Sequence, residues 1–325
     1  MISWADQTVL VTGAAGFLGS RLVRALSQRS ARLVALVKDS VPQTLTELSG
    51  LEVLRANLCD PAALQPLFRR RIDIVFHLAA QTLPTLGRED PRLTFEANTQ
   101  ATWNLLESAR SAASVSRIVI ASTDSVYGEN ADGAPFTEEA RLAPSFPYET
   151  SKACAEMVAR CYYETYALPI AIARFCNLYG PGDVADSRLM AGTIAAAVVG
   201  KRQQLRGDGS AVRNYLYVED AVAALLRLAE ALGQPGIAGQ AFNFCDEEPI
   251  SVREIVTRVL RFVDRPDLAP HIGAGTPGEI SIKRASAQKA RQVLDWAPTV
   301  SLDEGLARTI AWHRDRLRVA QETDS

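Results

Sequence analysis

Apolar residues in this chain fall into short unbroken runs, separated by longer stretches in which they recur every three or four positions. The runs are TVLVTG (8–13), RLVALV (32–37), LEVLRANL (51–58), IDIVFHLAA (72–80), RIVIAS (117–122) and PIAIARFCNLYG (169–180). Runs of this length, rich in β-branched residues, suit strands buried on both faces, because a half-exposed strand would alternate apolar with polar. SRLVRALSQ (20–28) and the stretches 91–112 and 147–167 carry helical periodicity and good helix formers. Strand and helix alternating in this way predict parallel β-α-β units, hence an α/β doubly wound parallel sheet with helices on both faces.

Beyond residue 180 the pattern loosens. Helical stretches at 187–200, 218–232, 251–263 and 302–318 are separated by glycine- and proline-rich segments such as GQPGIAG (233–239) and GAGTPGE (273–279). This predicts a smaller, mixed C-terminal lobe over one end of the sheet. Residues 1–176 with 212–245 are expected to form the sheet domain, and 177–211 with 246–325 the lobe.

Composition narrows the function classes. With 325 residues, 47% of them apolar, the chain can bury a large core. A net charge of −2 with scattered basic residues gives no field for gripping nucleic acid. The first residues lack a signal-peptide pattern and no apolar run approaches a membrane span, so a cytoplasmic protein is expected, with no membrane partner. Five cysteines without a C-x-x-C pair argue against a disulfide framework and a zinc site, and no metal is expected.

Chemistry enters at the first turn. TVLVTGAAGFLGSRLVRAL places Gly13, Gly16 and Gly19 between a predicted strand and a predicted helix. A tight turn, close approach of a pyrophosphate to the backbone, and free N–H groups at the helix start all call for glycine there, so the stretch predicts dinucleotide binding. An acidic residue about 20 positions on would hold the adenosine ribose. That place falls near Val37, followed by Lys38 and Asp39. Lys38 could meet a 2′-phosphate, which favours NADP slightly over NAD, or simply be solvated, and Asp39 could reach the ribose if the strand frays by a residue or two.

A second cluster ends the fifth run, where Ser122, Thr123, Asp124 and Ser125 follow apolar residues. About two dozen residues on, Tyr148 and Lys152 stand one helical turn apart and share a face. A tyrosine near an ammonium and a nicotinamide cation can become a phenolate able to take a proton from an alcohol, and Lys152 would also bind the nicotinamide ribose. Y-x-x-x-K alone is common on helix surfaces; its place after a strand ending in hydroxyls gives it meaning.

Taken in order and spacing, TGAAGFLGS, HLAAQ (77–81), the NTQATWNLLE stretch from Asn98, STDSVYG (122–128), PYETSK (147–152), RFCNLYGPGD (174–183), GDGSAVRNYLYVEDAVAAL (207–225) and KARQVLDWAPTVSLDEGL (289–306) resemble the extended short-chain dehydrogenase/reductase family. The similarity is to its Rossmann-like, nucleotide-sugar-modifying epimerase and dehydratase branch, with parts resembling the dehydratases of CDP-glucose and GDP-mannose. The resemblance implies a tightly bound, recycled NAD or NADP held by Gly13, Gly16, Phe17, Leu18 and Gly19, by Leu78, Ala79 and Ala80, and by Asn98, Tyr148 and Lys152. As a residue, Asn98 could equally cap a helix start. The resemblance also implies a nucleoside-diphosphate sugar as substrate, its reacting hydroxyl held by Thr123 and oxidised, usually at C4, to a keto sugar. Asn177 and Arg213 would hold the diphosphate, joined by Arg188 unless that residue only pairs at the surface.

The fate of the keto sugar turns on the residues after Thr123. A 4,6-dehydratase of the kind resembled uses an aspartate as acid, which Asp124 supplies unless it merely closes an Asx-turn. It then needs a base, and an unassisted Ser125 is too weak. Epimerases carry small neutral residues there. The balance favours an epimerase, with a dehydratase as the alternative if another base such as Glu129 comes close; a keto-sugar reductase or a non-catalytic NAD(P)-binding protein fits less well. Two positions depart from the family pattern: Asn214 stands where relatives have aspartate, and Thr276 where they often have arginine. Helix 147–167 carries Met157, Val158, Cys161, Tyr162 and Tyr166, which cannot all face one sheet, and the family pairs this helix and 91–112 across a two-fold axis, implying a homodimer.

Overall fold

The computed structural model describes residues 2–39, 41, 43–129, 133–205, 207–273 and 281–323. Its first half is a regular alternation: β1 (Thr8–Thr12), α1 (Phe17–Ser27), β2 (Arg32–Val37), α2 (Gln43–Thr46), β3 (Leu51–Arg55), α3 (Pro61–Phe68), β4 (Ile74–His77), α4 (Pro84–Glu89), α5 (Pro91–Phe95), α6 (Ala101–Arg110), β5 (Arg117–Thr123), α7 (Pro147–Tyr166) and β6 (Ile170–Phe175). The second half runs β7 (Asn177–Tyr179), α8 (Leu189–Val198), β8 (Gln204–Leu205), β9 (Val212–Arg213), β10 (Tyr215–Tyr217), α9 (Val218–Ala231), β11 (Ala241–Phe244), β12 (Ile250–Ser251), α10 (Val252–Phe262), β13 (His271–Ile272), β14 (Ile282–Lys283), α11 (Gln288–Leu294) and α12 (Leu302–Thr323).

Seven strands form one parallel sheet in the order β11-β6-β5-β4-β1-β2-β3. The unbroken apolar runs are explained by burial on both sides. In β1, Val9 and Val11 join the core under α1 and α9, while Leu10 points to the opposite core with Leu105 of α6 and Ile118 and Ile120 of β5. The chain winds outward from β1 to β3, then returns to place β4 on the other side of β1. That reversal opens a crevice beyond the C-terminal ends of β1 and β4, where ligands bind in sheets of this kind.

Several elements differ from the sequence pattern. The run 169–180 is two strands: β6 stays in the main sheet, whereas β7 leaves it to pair in parallel with β10. The stretch 91–112 is interrupted by a π-helical turn at Glu96–Gln100 between α5 and α6. β11, α3, α4 and α11 were not legible as apolar runs or strong periodicity. α3 is instead started by Asp60, whose carboxylate accepts from the Ala62 N–H, with Pro61 at the first helical position.

The C-terminal residues build a separate core in which Met190 and Ile194 of α8 pack with Ile255, Val256 and Val259 of α10 and Leu306 and Ile310 of α12. β9 lies between β12 and β14, and β8 pairs with β13. Lys283, on β14, is thereby brought over the end of the main sheet.

Candidate active site

A cavity of about 610 Å³ runs from the turn after β1, across the ends of β4, β5 and β6, to the lobe. That volume suits small molecules that are largely enclosed.

Its first wall is the glycine turn. Gly13 has φ +66°, and a Cβ there would stand 2.7 Å from the Ala79 backbone nitrogen. At Gly19 a Cβ would stand 2.1 Å from the Gly13 carbonyl oxygen. The turn therefore folds as tightly as the spacing predicted, only because these positions lack side chains. Phe17 and Leu18 open α1, whose first turn carries no acidic side chain and whose N-cap, Gly16, offers none to its N–H groups. Those N–H groups and the dipole suit a pyrophosphate. Gly13, Gly16, Phe17, Leu18, Gly19, Leu78, Ala79 and Ala80 all line the cavity. These residues fit a dinucleotide cofactor.

An interaction the sequence did not reveal braces this wall. The buried His77 lies between two hydroxyls, Nδ1 being 2.9 Å from Thr12 Oγ1 and Nε2 3.0 Å from Thr102 Oγ1. Thr12 Oγ1 also accepts the N–H groups of Leu78 and Ala79, fixing the cavity-lining loop to β1. Thr102 donates to the Asn98 carbonyl, so it accepts from Nε2–H, and Nδ1 accepts from Thr12. Burial, reinforced by Lys152, lowers the His77 pKa to about 3 and keeps the ring neutral.

Thr123, Tyr148 and Lys152 converge at the far end of this wall and line the same cavity. Thr123 ends β5, and Tyr148 follows the Pro147 that begins α7. Tyr148 hydrogen-bonds the Thr123 side chain. One turn on, Lys152 Nζ donates to the Ala121 carbonyl at 2.5 Å. Burial lowers the Lys152 pKa to about 8, against the opposing pull of Glu156. Tyr148 is pushed up to about 12 by burial, with Glu149 and Asp124 adding to the rise and Thr123 and Arg188 opposing it. With the protein's own groups alone, desolvation outweighs the opposing pull of Thr123 and Arg188 on this phenol; the activation expected from the sequence also invokes the positive charge of a bound nicotinamide.

Beneath these residues lies a buried network. Arg174 of β6 grips Glu156 of α7 through Nε and Nη2, with the shortest contact 2.6 Å, and donates to Tyr127 at 2.7 Å. Ser122 donates to Glu156 at 2.5 Å, and Tyr127 to Asn243 at 2.8 Å. α7, β5, β6 and β11 are thus tied together under the tyrosine and lysine.

The hydroxyl and carboxylate cluster is arranged differently from the sequence expectation. Thr123 Oγ1 accepts the Ser125 N–H and lies 3.2 Å from Ser125 Oγ, forming the cap of a short 3-10 turn over Asp124–Tyr127. Ser125 lines the cavity, but Asp124 is only 1% exposed and sits behind that wall. Its Oδ1 pairs with Lys283 Nζ at 3.0 Å, while Oδ2 has no partner among the described residues. Lys283 also donates to Ser125 Oγ at 2.8 Å. Asp124 is therefore more than a turn-closing residue, and its carboxylate is turned toward a lysine that no sequence motif pointed to. Glu129 is exposed and does not line this cavity.

The remaining candidates divide. Asn98 is 1% exposed and caps no helix start; from inside the π turn it accepts the Gln81 N–H at 2.7 Å and donates to the Gln81 carbonyl and Ser151 Oγ. It locks the 78–81 loop against α7, and the described cavity lining does not include it. Asn177, Arg188 and Arg213 line the lobe side of the cavity. Arg188 is held by Asp183 at 3.0 Å and Thr82 at 3.2 Å, and its guanidinium lies 5.8 Å over the Phe17 ring, at the seam between the glycine turn and the lobe. Arg213 donates to the carbonyls of Val212 and Ser281. Asn214 is fully buried; its amide donates to the Asp246 carbonyl and accepts the Ala285 N–H. An aspartate could accept but not donate, which explains the amide at this position. Lys38 and Asp39 stand exposed beyond β2. Thr276 lies outside the described residues. Glu149, 8% exposed, lines the cavity beside Tyr148, and its Oε2 has no partner among the described residues.

Residues 9–244 match the family described as NAD dependent epimerase/dehydratase. The chain is 32% identical to a UDP-glucose 4-epimerase of Mycolicibacterium smegmatis over 316 residues, which is 94% of this chain and 98% of that protein. It is 30% identical to a dTDP-glucose 4,6-dehydratase of Neisseria gonorrhoeae over 346 residues, 95% of this chain and 96% of that one. Among solved structures it resembles a dTDP-glucose 4,6-dehydratase of Streptomyces venezuelae with NAD bound, at a TM-score of 0.89 and 29% identity, covering 96% of this chain and 98% of that one.

Proposed function

The chain belongs to the NAD dependent epimerase/dehydratase family, and from that premise we propose that it inverts a nucleoside-diphosphate sugar at C4 through a transient keto sugar. The observation that carries this reading is the meeting of Thr123, Tyr148 and Lys152 in one cavity with the glycine turn. Thr123 holds the reacting hydroxyl, and Tyr148, its phenolate favoured by Lys152 together with the positive charge that a bound nicotinamide would supply, takes the hydroxyl proton and later gives it back. Lys152 supplies positive charge beside the phenol and a donor for the cofactor ribose. Bound along the glycine turn, NAD would accept hydride from the sugar carbon and return it to the opposite face. Asn177, Arg188 and Arg213 supply amide and guanidinium donors for the diphosphate. Glu149 Oε2, buried without a partner among the described residues, suits a sugar hydroxyl.

Epimerisation needs no second acid and base. That agrees with Asp124 lying behind the cavity wall and Ser125 having no base strength. One observation favours dehydration as the second reading: Asp124 directly follows Thr123 and keeps an unpartnered oxygen. Mass spectrometry of a panel of sugar nucleotides incubated with enzyme and cofactor separates the two. Unchanged mass with a new retention time supports the epimerase, loss of water supports the dehydratase, and release of oxidised cofactor in proportion to product points to a reductase.

NAD is the working cofactor in this reading, and Lys38 is the group that would extend use to NADP, the cofactor its position favours. Comparing the affinities of the two dinucleotides measures that contribution. The exposed Trp103, Met157 and Tyr166 of α6 and α7 support a homodimer built on these helices. No helix among the described residues is long and apolar enough to cross a membrane. The five free thiols support a reducing, cytoplasmic location.

A further inference from the structure

Lys283 reaches the reactive end of the cavity from β14, 158 residues along the chain from its partner Ser125. Its side chain is 10% exposed and lines the cavity. An ammonium group has three N–H donors. One goes to Ser125 Oγ at 2.8 Å, and Asp124 Oδ1 pairs with the same group as an ion at 3.0 Å. Both partners lie on the 3-10 turn, and the lysine also lines the cavity with N–H donors beyond the one given to Ser125. Asp124, behind the wall, is the counter-charge of this buried lysine. The charged group presented to a ligand here is thus the lysine and not the aspartate.

Position tells what that donor can meet. Thr123 Oγ1 is 3.2 Å from Ser125 Oγ, so Lys283 Nζ stands two hydrogen-bond steps from the hydroxyl that holds the reacting oxygen. On a pyranose, the oxygens at such a span from the reacting one are borne by the neighbouring carbons or by an arm attached to them. We propose that Lys283 contacts the substrate as a specificity-determining residue, an N–H not given to Ser125 holding a sugar oxygen that flanks the reacting carbon. The proposal rests on the keto-sugar reading above and adds a requirement to it: a sugar lacking that oxygen leaves a buried ammonium under-bonded and is bound less well.

The test uses the enzyme loaded with NAD, and UDP-glucose, dTDP-glucose and their 3-deoxy and 6-deoxy counterparts as probes. Binding is measured by calorimetry and turnover by mass spectrometry. Lys283→Met leaves Asp124 buried without its cation and could fail to fold, so the double variant D124N/K283M is measured beside it. The expected result is that the wild type binds one of the two deoxy sugars about tenfold or more weakly than its parent, and that both variants lose this preference. The deoxy position concerned identifies the oxygen. A preference unchanged in the variants, or equal binding of all three sugars by the wild type, overturns the proposal. Discrimination in binding without any turnover would instead sink the keto-sugar reading while leaving the Lys283 contact standing.

Discussion

The two ends of the cavity are built on opposite principles. At the cofactor end, the turn after β1 and the loop after β4 are shaped by small residues and neutral hydrogen bonds. Gly13 and Gly19 admit close backbone approach, and an uncharged His77 joins Thr12 to Thr102. At the reactive end the wall carries buried charge: Lys152 on α7, Lys283 from the lobe, and Asp124 and Glu156 behind them. The first arrangement holds a ligand through backbone shape and dipole. The second must move a proton, and there burial lowers the pKa of Lys152 and raises that of Tyr148. Shape is the more local property, and charge here depends on residues far apart in the chain.

Substitutions can separate the two ends. The largest effect is expected from Tyr148→Phe, which should lower kcat by about 10³ while leaving NAD affinity within about twofold of wild type. A fully active variant would refute the proposed proton transfer. At the other end, Gly19→Ala should weaken NAD binding by about tenfold or more and lower the melting temperature, because its Cβ meets a backbone oxygen that cannot yield cheaply. Calorimetry and thermal melts check both, and normal NAD affinity in this variant would break the contrast drawn above.

The pH profiles should differ as well. Lys152 has its pKa lowered to about 8, so activity that needs its ammonium should fall as pH rises through about 8. In Lys152→Met that limb should disappear along with most of the activity. His77 acts in the opposite direction and on stability. Its folded pKa, about 3, lies below the ordinary 6.5, so its stabilising contribution is full above 6.5 and is lost as pH falls toward 3. Acid-unfolding curves of the wild type and His77→Gln would show this as a shallower slope in the variant. The smallest effect on chemistry is expected from Met157→Glu, on the exposed face of α7. It should shift sedimentation from dimer to monomer with kcat reduced less than tenfold, consistent with a face outside the cavity. A wild type that sediments as a monomer at micromolar concentration would remove the dimer.

The same contrast explains what could be read from sequence. Six of the seven sheet strands were legible because burial on both faces writes an unbroken apolar run. The glycine turn was legible because its geometry tolerates few residues. Tyr148 and Lys152 were legible because one helical turn fixes their relation. β11 was missed because AFNF is short and interrupted by Asn243, whose amide serves the network under the site. β7 was fused to β6 because nothing in an apolar run marks the place where a strand leaves one sheet for another. Lys283 was invisible because its partners, Asp124 and Ser125, meet it only through the folding of the lobe. His77 was quoted within a motif, yet its role depends on two threonines from different elements.

The π turn at Glu96–Gln100 bears on the phase of the helix around it. One extra residue in a helical turn rotates everything after it by about 100° relative to a regular α-helix. That offset lets Asn98 face inward to Gln81 and Ser151 while Trp103 faces outward. Deleting a single residue from this turn would restore a regular helix and misalign one set with respect to the other. Either the 78–81 loop would lose its latch or the outward aromatic face would turn away, so the length of this segment couples the shape of the cofactor wall to the face proposed above to meet a second copy of the chain.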